Sequence, residues 1–339
     1  MKKVLNVLYQ SNNNYADLTG VSITSLLINN QHLEQINVYV LDDMISEINL
    51  NKMKEVCHQY SRNLIIVDTT EIIKRLKELN VEPYKNTYTT YFKLFAVGGL
   101  KINTDRLLQL DGDTIINGPL DELLEMDLKD CVCAATYDCM LNEYKELVGI
   151  PKEDKYYNCG VLLINKPYWD EYGCEKKIVH HLTNVRNRYF TVDQDIINVL
   201  FRDKIKYLHL KYNFNSGFYI YGIQESIKIY NLKSEYFSTV EQIQEAYDNP
   251  IINHCMGAMT GRPWEQHNIH PQNDVYDKYL AQSPWKDDPK KIVNRSILFK
   301  IQKRLYLNLP RKMYIPIHRL ILRVFYTRKN QSALKKVNK

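Results

Sequence analysis

No acidic residue follows Asp288 in this chain of 339 residues. From Pro289 to Lys339 there are 15 lysines and arginines and no aspartate or glutamate, so this segment carries +15 and the preceding 288 residues carry −9. The overall charge of +6 conceals that split. Cys-x-x-Cys pairs are also missing, and the seven cysteines are an odd number. That excludes a disulfide scaffold and points to a reducing compartment. Nowhere is there a run of about eighteen apolar residues, the length a membrane-spanning helix needs. The apolar stretch near the N-terminus is broken at Asn6 and is too short for a secretory signal, so 4–9 reads as a strand. A hydrophobic share of 45% with 25% charged residues excludes a wholly disordered chain. The expectation is a soluble or peripheral, cytoplasmic protein, long enough for one large α/β domain or two ordinary ones.

Up to about residue 285, short apolar runs alternate with helical periodicity. Strands are predicted over 4–9, 36–41, 64–68, 106–110, 132–136 and 161–165, and helices over 20–29, 46–60, 71–79, 174–187 and 193–202. Ser46 is placed to cap its helix. Cys131 and Cys133 read as one face of a strand. This alternation predicts an α/β fold, a mostly parallel sheet flanked by helices. Such sheets bind ligands beyond the carboxyl ends of their strands, so polar residues directly after a strand are the first candidates.

The strand 106–110 runs into Asp111-Gly112-Asp113. Carboxylates are hard oxygen donors for Mg²⁺ or Mn²⁺, and a glycine between them leaves room for a nucleotide against the backbone. Asp-x-Asp alone is also a common turn. The apolar strand before it and Thr-Ile-Ile-Asn after it favour a metal diphosphate site. His254 follows Ile251 and Ile252 and precedes Gly257, Gly261 and Arg262, a small-residue loop ending in a cation. Asp193, Gln194 and Asp195 open the helix 193–202, where Asp193 can serve as the N-cap.

The basic tail is also apolar. Ile317, Leu320, Ile321, Val324 and Phe325 recur at helical spacing beside Arg319 and Arg323. Val293, Ile297 and Ile301 form a second row near Lys300, Lys303 and Arg304, and Pro310 and Pro316 are expected to separate the two segments. Basic plus amphipathic suits an anionic membrane surface better than a nucleic-acid groove. The competing reading makes 289–339 an element packed on the catalytic body.

Six ordered motifs over roughly residues 1–265 resemble glycosyltransferase family 8, the group of glycogenin and bacterial lipopolysaccharide galactosyltransferases. They are Asn14-Tyr15, YFKL at 91–94, LDGDT at 110–114, YNCGVLLIN at 157–165, DQDIIN at 193–198 and HCMGAMTGRPW at 254–264. The resemblance implies a GT-A fold, a Rossmann-like nucleotide-sugar-binding domain; with the charge and periodicity of the tail, the expected domains are a catalytic domain over 1–285 and a basic amphipathic tail over 286–339. It implies a UDP-hexose donor (UDP-glucose or UDP-galactose), Mn²⁺ with Mg²⁺ as the alternative, and retention of the anomeric configuration to give an α-linkage. The acceptor is a glycan or a lipid-linked sugar, and the tail places the enzyme at the inner face of the cell membrane. By the same resemblance Asp111, Asp113 and His254 hold the metal. Asn12, Asn14, Tyr15, Lys93, Gly112, Asn158, Gly160, Gly257 and Arg262 line the donor site. Asp193 binds a donor-sugar hydroxyl, and Gln194 stabilises oxocarbenium character while the acceptor attacks from the leaving-group side. Double displacement by Asp193 is the less favoured mechanism.

Three positions depart from the family pattern. Asn12-Asn13-Asn14 stands where relatives often carry Asp, Lys93 where Arg is common, and Arg262 where Lys is common. The segment 137–157 reads as a lid or acceptor loop. Two rival readings are a nucleotide-sugar-binding protein without transferase activity and a nucleic-acid-binding protein led by the tail. The four intact polar residues Asp111, Asp113, His254 and Gln194 count against the first. The absence of any nucleic-acid motif counts against the second.

Overall fold

The computed structural model of the chain describes residues 3–185, 189–257 and 259–337. The end of the expected helix 174–187, Ala258 in the histidine loop, and 338–339 lie outside the described residues.

Ten strands are formed among the described residues: β1 (Val4–Asn12), β2 (Gln35–Asp43), β3 (Asn63–Asp68), β4 (Arg106–Leu110), β5 (Thr114–Ile116), β6 (Cys133–Ala135), β7 (Val161–Asn165), β8 (Ile205–Tyr207), β9 (Phe214–Asn215) and β10 (Ile252–His254). Seven make one sheet in the order β3-β2-β1-β4-β7-β6-β8, and β5-β10-β9 make a second. In the large sheet β1 pairs in parallel with β2 and β4, as do β2 with β3 and β6 with β8. Only β7 runs antiparallel to its neighbours β4 and β6. The α/β expectation of a mostly parallel sheet therefore holds.

β1 is almost wholly buried because helices cover both faces, and its sequence is a near-continuous apolar run. Asn6 and Ser11 are its buried polar residues; Asn6 is satisfied by side chains, its amide donating to Thr104 and its carbonyl accepting from Asn37. The connection leaving β1 goes to β2, and the chain returns as β4 on the other side of β1. The strand order thus reverses at the β1/β4 boundary, where a crevice opens beyond the strand ends. Asn12 ends β1 and Asp111 follows β4, so the two candidate loops meet at that crevice.

The helix Ala16–Asn29 is buried along nearly all its length. Its interior Gly20 is covered by the indole of Trp285; a methyl group there would lie 2.2 Å from that ring. Ser46 does cap the helix Glu47–Gln59, accepting from Asn49 N–H. Cys131 falls outside β6, so the expected two-cysteine strand face is not formed. All seven cysteines are free thiols.

The tail forms the helices Ile297–Asn308 and Arg311–Val337. Pro310 lies between them, but Pro316 sits inside the second helix, contrary to expectation. A proline there removes one backbone bond, and packing on both sides keeps the helix continuous. Tyr306, Tyr314 and Ile315 pack with Ile220, Tyr221 and Ile229, and Tyr306 Oη donates to Ile220 O at 2.8 Å. Leu322 and Tyr326 cover the segment 137–157, packing with Met140, Leu141 and Tyr144. The apolar row at 317–325 faces mostly outward, with Leu320 62% and Val324 41% exposed. Aromatic Tyr314 and His318 form the inner face instead. No helix among the described residues is long and apolar enough to cross a membrane.

Candidate active site

The Asp111–Asp113 turn is fixed at three points. Asp111 N–H donates to Gly160 O at 2.7 Å, Thr114 Oγ1 donates to Asp111 O at 2.8 Å, and Cys255 N–H donates to Asp113 O at 2.9 Å. β10 pairs with β5 so that His254 lies opposite Thr114. The second sheet therefore carries the histidine to the carboxylates across 141 residues of sequence. One ligand atom from each of Asp111, Asp113 and His254 lies within 4.8 Å of the others.

The orientation of His254 follows from an unambiguous donor. Gly160 backbone N–H donates to Asn158 Oδ1 at 2.8 Å, so the Asn213 group facing that oxygen, also at 2.8 Å, is its NH₂. Asn213 Oδ1 then accepts from His254 Nδ1–H at 2.9 Å. Nε2 is left facing Asp113 Oδ1 at 3.1 Å, with its lone pair available to a metal whenever the ring is neutral. Two carboxylates and an imidazole with a fixed outer hydrogen bond fit a divalent cation. Burial works against charge on both Asp113 and His254, but each overcomes it through the other. Asp113, helped by Arg262, is lowered to about 2, and His254 is raised above the ordinary histidine value.

Lys93 is buried beneath the turn. Its Nζ lies 2.9 Å from Asp193 Oδ2 and 3.3 Å from Asp111 Oδ1, and donates to Cys159 O at 2.8 Å. Burial alone would discharge it, yet the two carboxylates hold its pKa above the ordinary lysine value. Burial and the nearby Asp111 raise Asp193 to about 6 against the pull of Lys93. Asp193 is not the helix cap: the helix Val192–Phe201 is preceded by Thr191, and Asp193 is in its first turn, facing Lys93. Gln109, also buried, donates to Asp111 Oδ1 at 3.0 Å.

A cleft of about 300 Å³ opens over this cluster. Asn12, Asn14, Tyr15, Lys93, Asp111, Gly112, Asp113, Asp193 and Arg262 all line it, so most of the expected donor residues converge. Arg262 reaches Asp113 Oδ2 at 3.7 Å. Its stem occupies the space a side chain at Gly257 would need, only 2.5 Å from Nε. Gly257 thus acts through Arg262 rather than by direct contact with a donor.

Four other expectations change. A methyl group at Gly160 would sit 2.3 Å from His254 Cε1, so that glycine makes room for the histidine ring. Asn158 is turned inward to Gly160 and Asn213, away from the cleft wall. Gly112 does border the cleft, but its Cα side abuts Thr19, 2.4 Å from where a Cβ would be. Gln194 does not line the cleft. Its Oε1 accepts from Cys159 N–H at 3.0 Å, and its Nε2 donates to Asp138 at 2.9 Å.

Sequence reasoning missed Asn213, Gln109, Asp138 and the hairpin over the cleft. Tyr84 and Thr87 exchange backbone hydrogen bonds around Lys85 and Asn86, both at positive φ. That is the two-residue turn asparagine favours, the one local signal that was available. Lys85 lines the cleft, and burial with the nearby Arg262 lowers its pKa. Lys291 was missed as well. It pairs with Asp17 at 2.7 Å, donates to Asn14 O, and its own backbone N–H donates to Trp264 O at 2.7 Å. It therefore joins the loop after β1 to the Arg262 loop.

The reversing α/β sheet, with an acidic turn and a histidine at its crevice, is the GT-A architecture of solved glycosyltransferases. The chain belongs to glycosyl transferase family 8, whose description matches residues 6–268. It is 28% identical over 303 residues to the lipopolysaccharide 1,2-glucosyltransferase of Escherichia coli K12, spanning 87% of this chain and 83% of that one. To the lipopolysaccharide 1,3-galactosyltransferase of Salmonella typhimurium it is 26% identical, over 83% of this chain and 79% of that one. The galactosyltransferase LgtC, solved with donor and acceptor sugar analogues, superposes with a TM-score of 0.67 at 21% identity, covering 83% of this chain and 99% of that one. The protein is accordingly an enzyme, a hexosyltransferase, for which family membership implies a nucleotide-sugar donor and a glycan acceptor. Enzymes of this architecture generally use a divalent metal, and the Asp111, Asp113 and His254 donors suit one.

Proposed function

We propose that the protein transfers glucose or galactose from its UDP conjugate to a hydroxyl of a glycan or lipid-linked acceptor, with retention, in cell-surface polysaccharide or glycoconjugate synthesis. The observation that carries this is the convergence of Asp111, Asp113 and His254 with Arg262 and the Lys93–Asp193 pair on one cleft. Mn²⁺, with Mg²⁺ as the alternative, is held by Asp111, Asp113 and His254 and supplies positive charge against the leaving diphosphate. Arg262 adds a second cation on the same side. Asp193, fixed by Lys93, takes a hydroxyl of the donor sugar. Gln194, its amide aligned by Cys159 and Asp138, supports oxocarbenium character. Asn12, Asn14 and Tyr15 take the base and ribose. The tail supplies attachment to the anionic inner face of the cell membrane. Its cations and outward apolar side chains, Ile297, Leu298, Leu320 and Val324 among them, support this reading.

The test is a panel of nucleotide sugars with Mn²⁺, reading free nucleotide and the anomer of the product by proton NMR. Asp111→Asn, Asp113→Asn and His254→Ala are each expected to cost at least about 100-fold in turnover, the scale of lost leaving-group stabilisation. Full activity in excess chelator or a β-linked product would overturn the proposal.

A further inference from the structure

We propose that the groove between the helix Ile223–Tyr230 and the N-terminal half of the helix Arg311–Val337 binds the phosphate headgroup of an anionic membrane lipid. The groove has a volume of about 560 Å³ and lies apart from the donor cleft, with no lining residue in common. Lys228, Arg311, Lys312, Arg319 and Arg323 line it, against a single acid, Glu225. Two of the cations are already engaged: Arg323 pairs with Glu143 at 3.1 Å, and Arg311 lies over the ring of Tyr306 at 3.9 Å. Among the described residues, Lys228, Lys312 and Arg319 have no carboxylate partner. Three free cations facing one concavity suit a phosphate, which takes several charge-assisted hydrogen bonds at once.

The remaining wall says which phosphate. Ile315, Pro316 and Leu320 are apolar, and Leu320 is 62% exposed. Met313, 58% exposed, and Ile317 and Val324 stand on the same helix, outside the groove lining. A free phosphate ion gains nothing from such a rim, whereas a lipid gives it acyl and glycerol carbon to meet. The proposal rests on the membrane reading above and narrows it from a diffuse charge to one place.

The experiment is flotation of the full chain with phosphatidylcholine vesicles, with and without phosphatidylglycerol. Lys228→Ala combined with Arg319→Ala removes two charges from the groove. Lys300→Ala combined with Arg304→Ala removes two from the exposed side of the preceding helix. The groove pair is expected to weaken binding to anionic vesicles on the order of tenfold or more, and the control pair distinctly less. Donor hydrolysis stays equal in all three proteins, which certifies their folding. Equal losses from both pairs would overturn the groove and leave general membrane attachment standing. No binding of the unaltered chain to anionic vesicles would overturn both. Inorganic phosphate alone, followed by calorimetry, is expected to give no saturable heat; saturation would make this a site for the free ion and overturn the lipid assignment.

Discussion

In the donor cleft a cation is buried between two carboxylates, whereas in the C-terminal helices cations stand in solvent beside exposed leucine and isoleucine. Lys93 is 3% exposed and touches both Asp111 and Asp193, while Lys300 and Arg304 face water. The histidines divide in the same way. His254 is pushed toward its charged form by Asp113, overcoming burial, whereas burial drives His318 down to about 4 beside Tyr221 and Tyr314. One region uses fixed opposite charges to hold geometry. The other uses aromatic packing on its inner side and leaves most cations of its two helices facing solvent.

The comparison can be broken most forcefully at Lys93. Lys93→Met strands the buried carboxylate of Asp193 beside the partly exposed Asp111 and is expected to cost about 3–5 kcal/mol, the scale for removing one partner of a buried pair. Thermal melting checks this, and adding Asp193→Asn should recover part of the loss. A melt unchanged by Lys93→Met would mean that the buried ion pairs do not hold the cleft.

The tail tests the opposite principle through pH. The folded His318 value of about 4 lies below the ordinary 6.5, so the unfolded chain binds the proton first as pH falls. Its contribution is whole above pH 6.5 and is lost as pH drops toward 4, by about 3 kcal/mol at most. Urea melts at neutral and mildly acidic pH should show this slope, and His318→Phe should flatten it. An identical slope in the variant would remove His318 from the account.

Lys291 lies where the two regions meet. Lys291→Ala is expected to raise the donor KM about fivefold with little change in kcat, the scale of ~1 kcal/mol for a half-exposed ionic clasp, and Lys291→Arg to restore most of it. A fall in kcat at constant KM would count against a clasp on the donor loop. The smallest effect on stability is expected from Leu320→Ser with Val324→Ser, within about 0.5 kcal/mol because both side chains are exposed. The same pair should reduce flotation with anionic vesicles, and unchanged flotation would detach that face from membrane binding.

Much of this arrangement is legible in the sequence where the signal is local. The strands 106–110 and 161–165 are found with those bounds, since a short, mostly apolar run ending in polar residues marks a strand buried on both faces. The Asp111, Asp113 and His254 set converges as expected. The second sheet is not legible, because β5, β9 and β10 have two or three residues each, too few to show a period. Asn213 escapes for a different reason: its role exists only once Asn158 and His254 are brought to either side of it. The inner face of the tail is not legible because Tyr314 and His318 count as polar in a periodicity argument yet pack as rings. The clasp is invisible because Lys291 is one of fifteen similar cations in its segment.

The indole of Trp285 resting on Gly20 ties the order of synthesis to the order of folding. The helix Ala16–Asn29 is among the first elements to leave the ribosome, yet the ring that fills its slot follows on the order of tens of seconds later at ordinary elongation rates. For that interval the nascent sheet carries an apolar notch with nothing in it, and its N-terminal half cannot reach its final packing. Protease trimming of ribosome-bound chains should find this helix protected only after residue 285 has emerged. A chain cut short before Trp285 would keep the notch permanently, although every proposed metal ligand would be present.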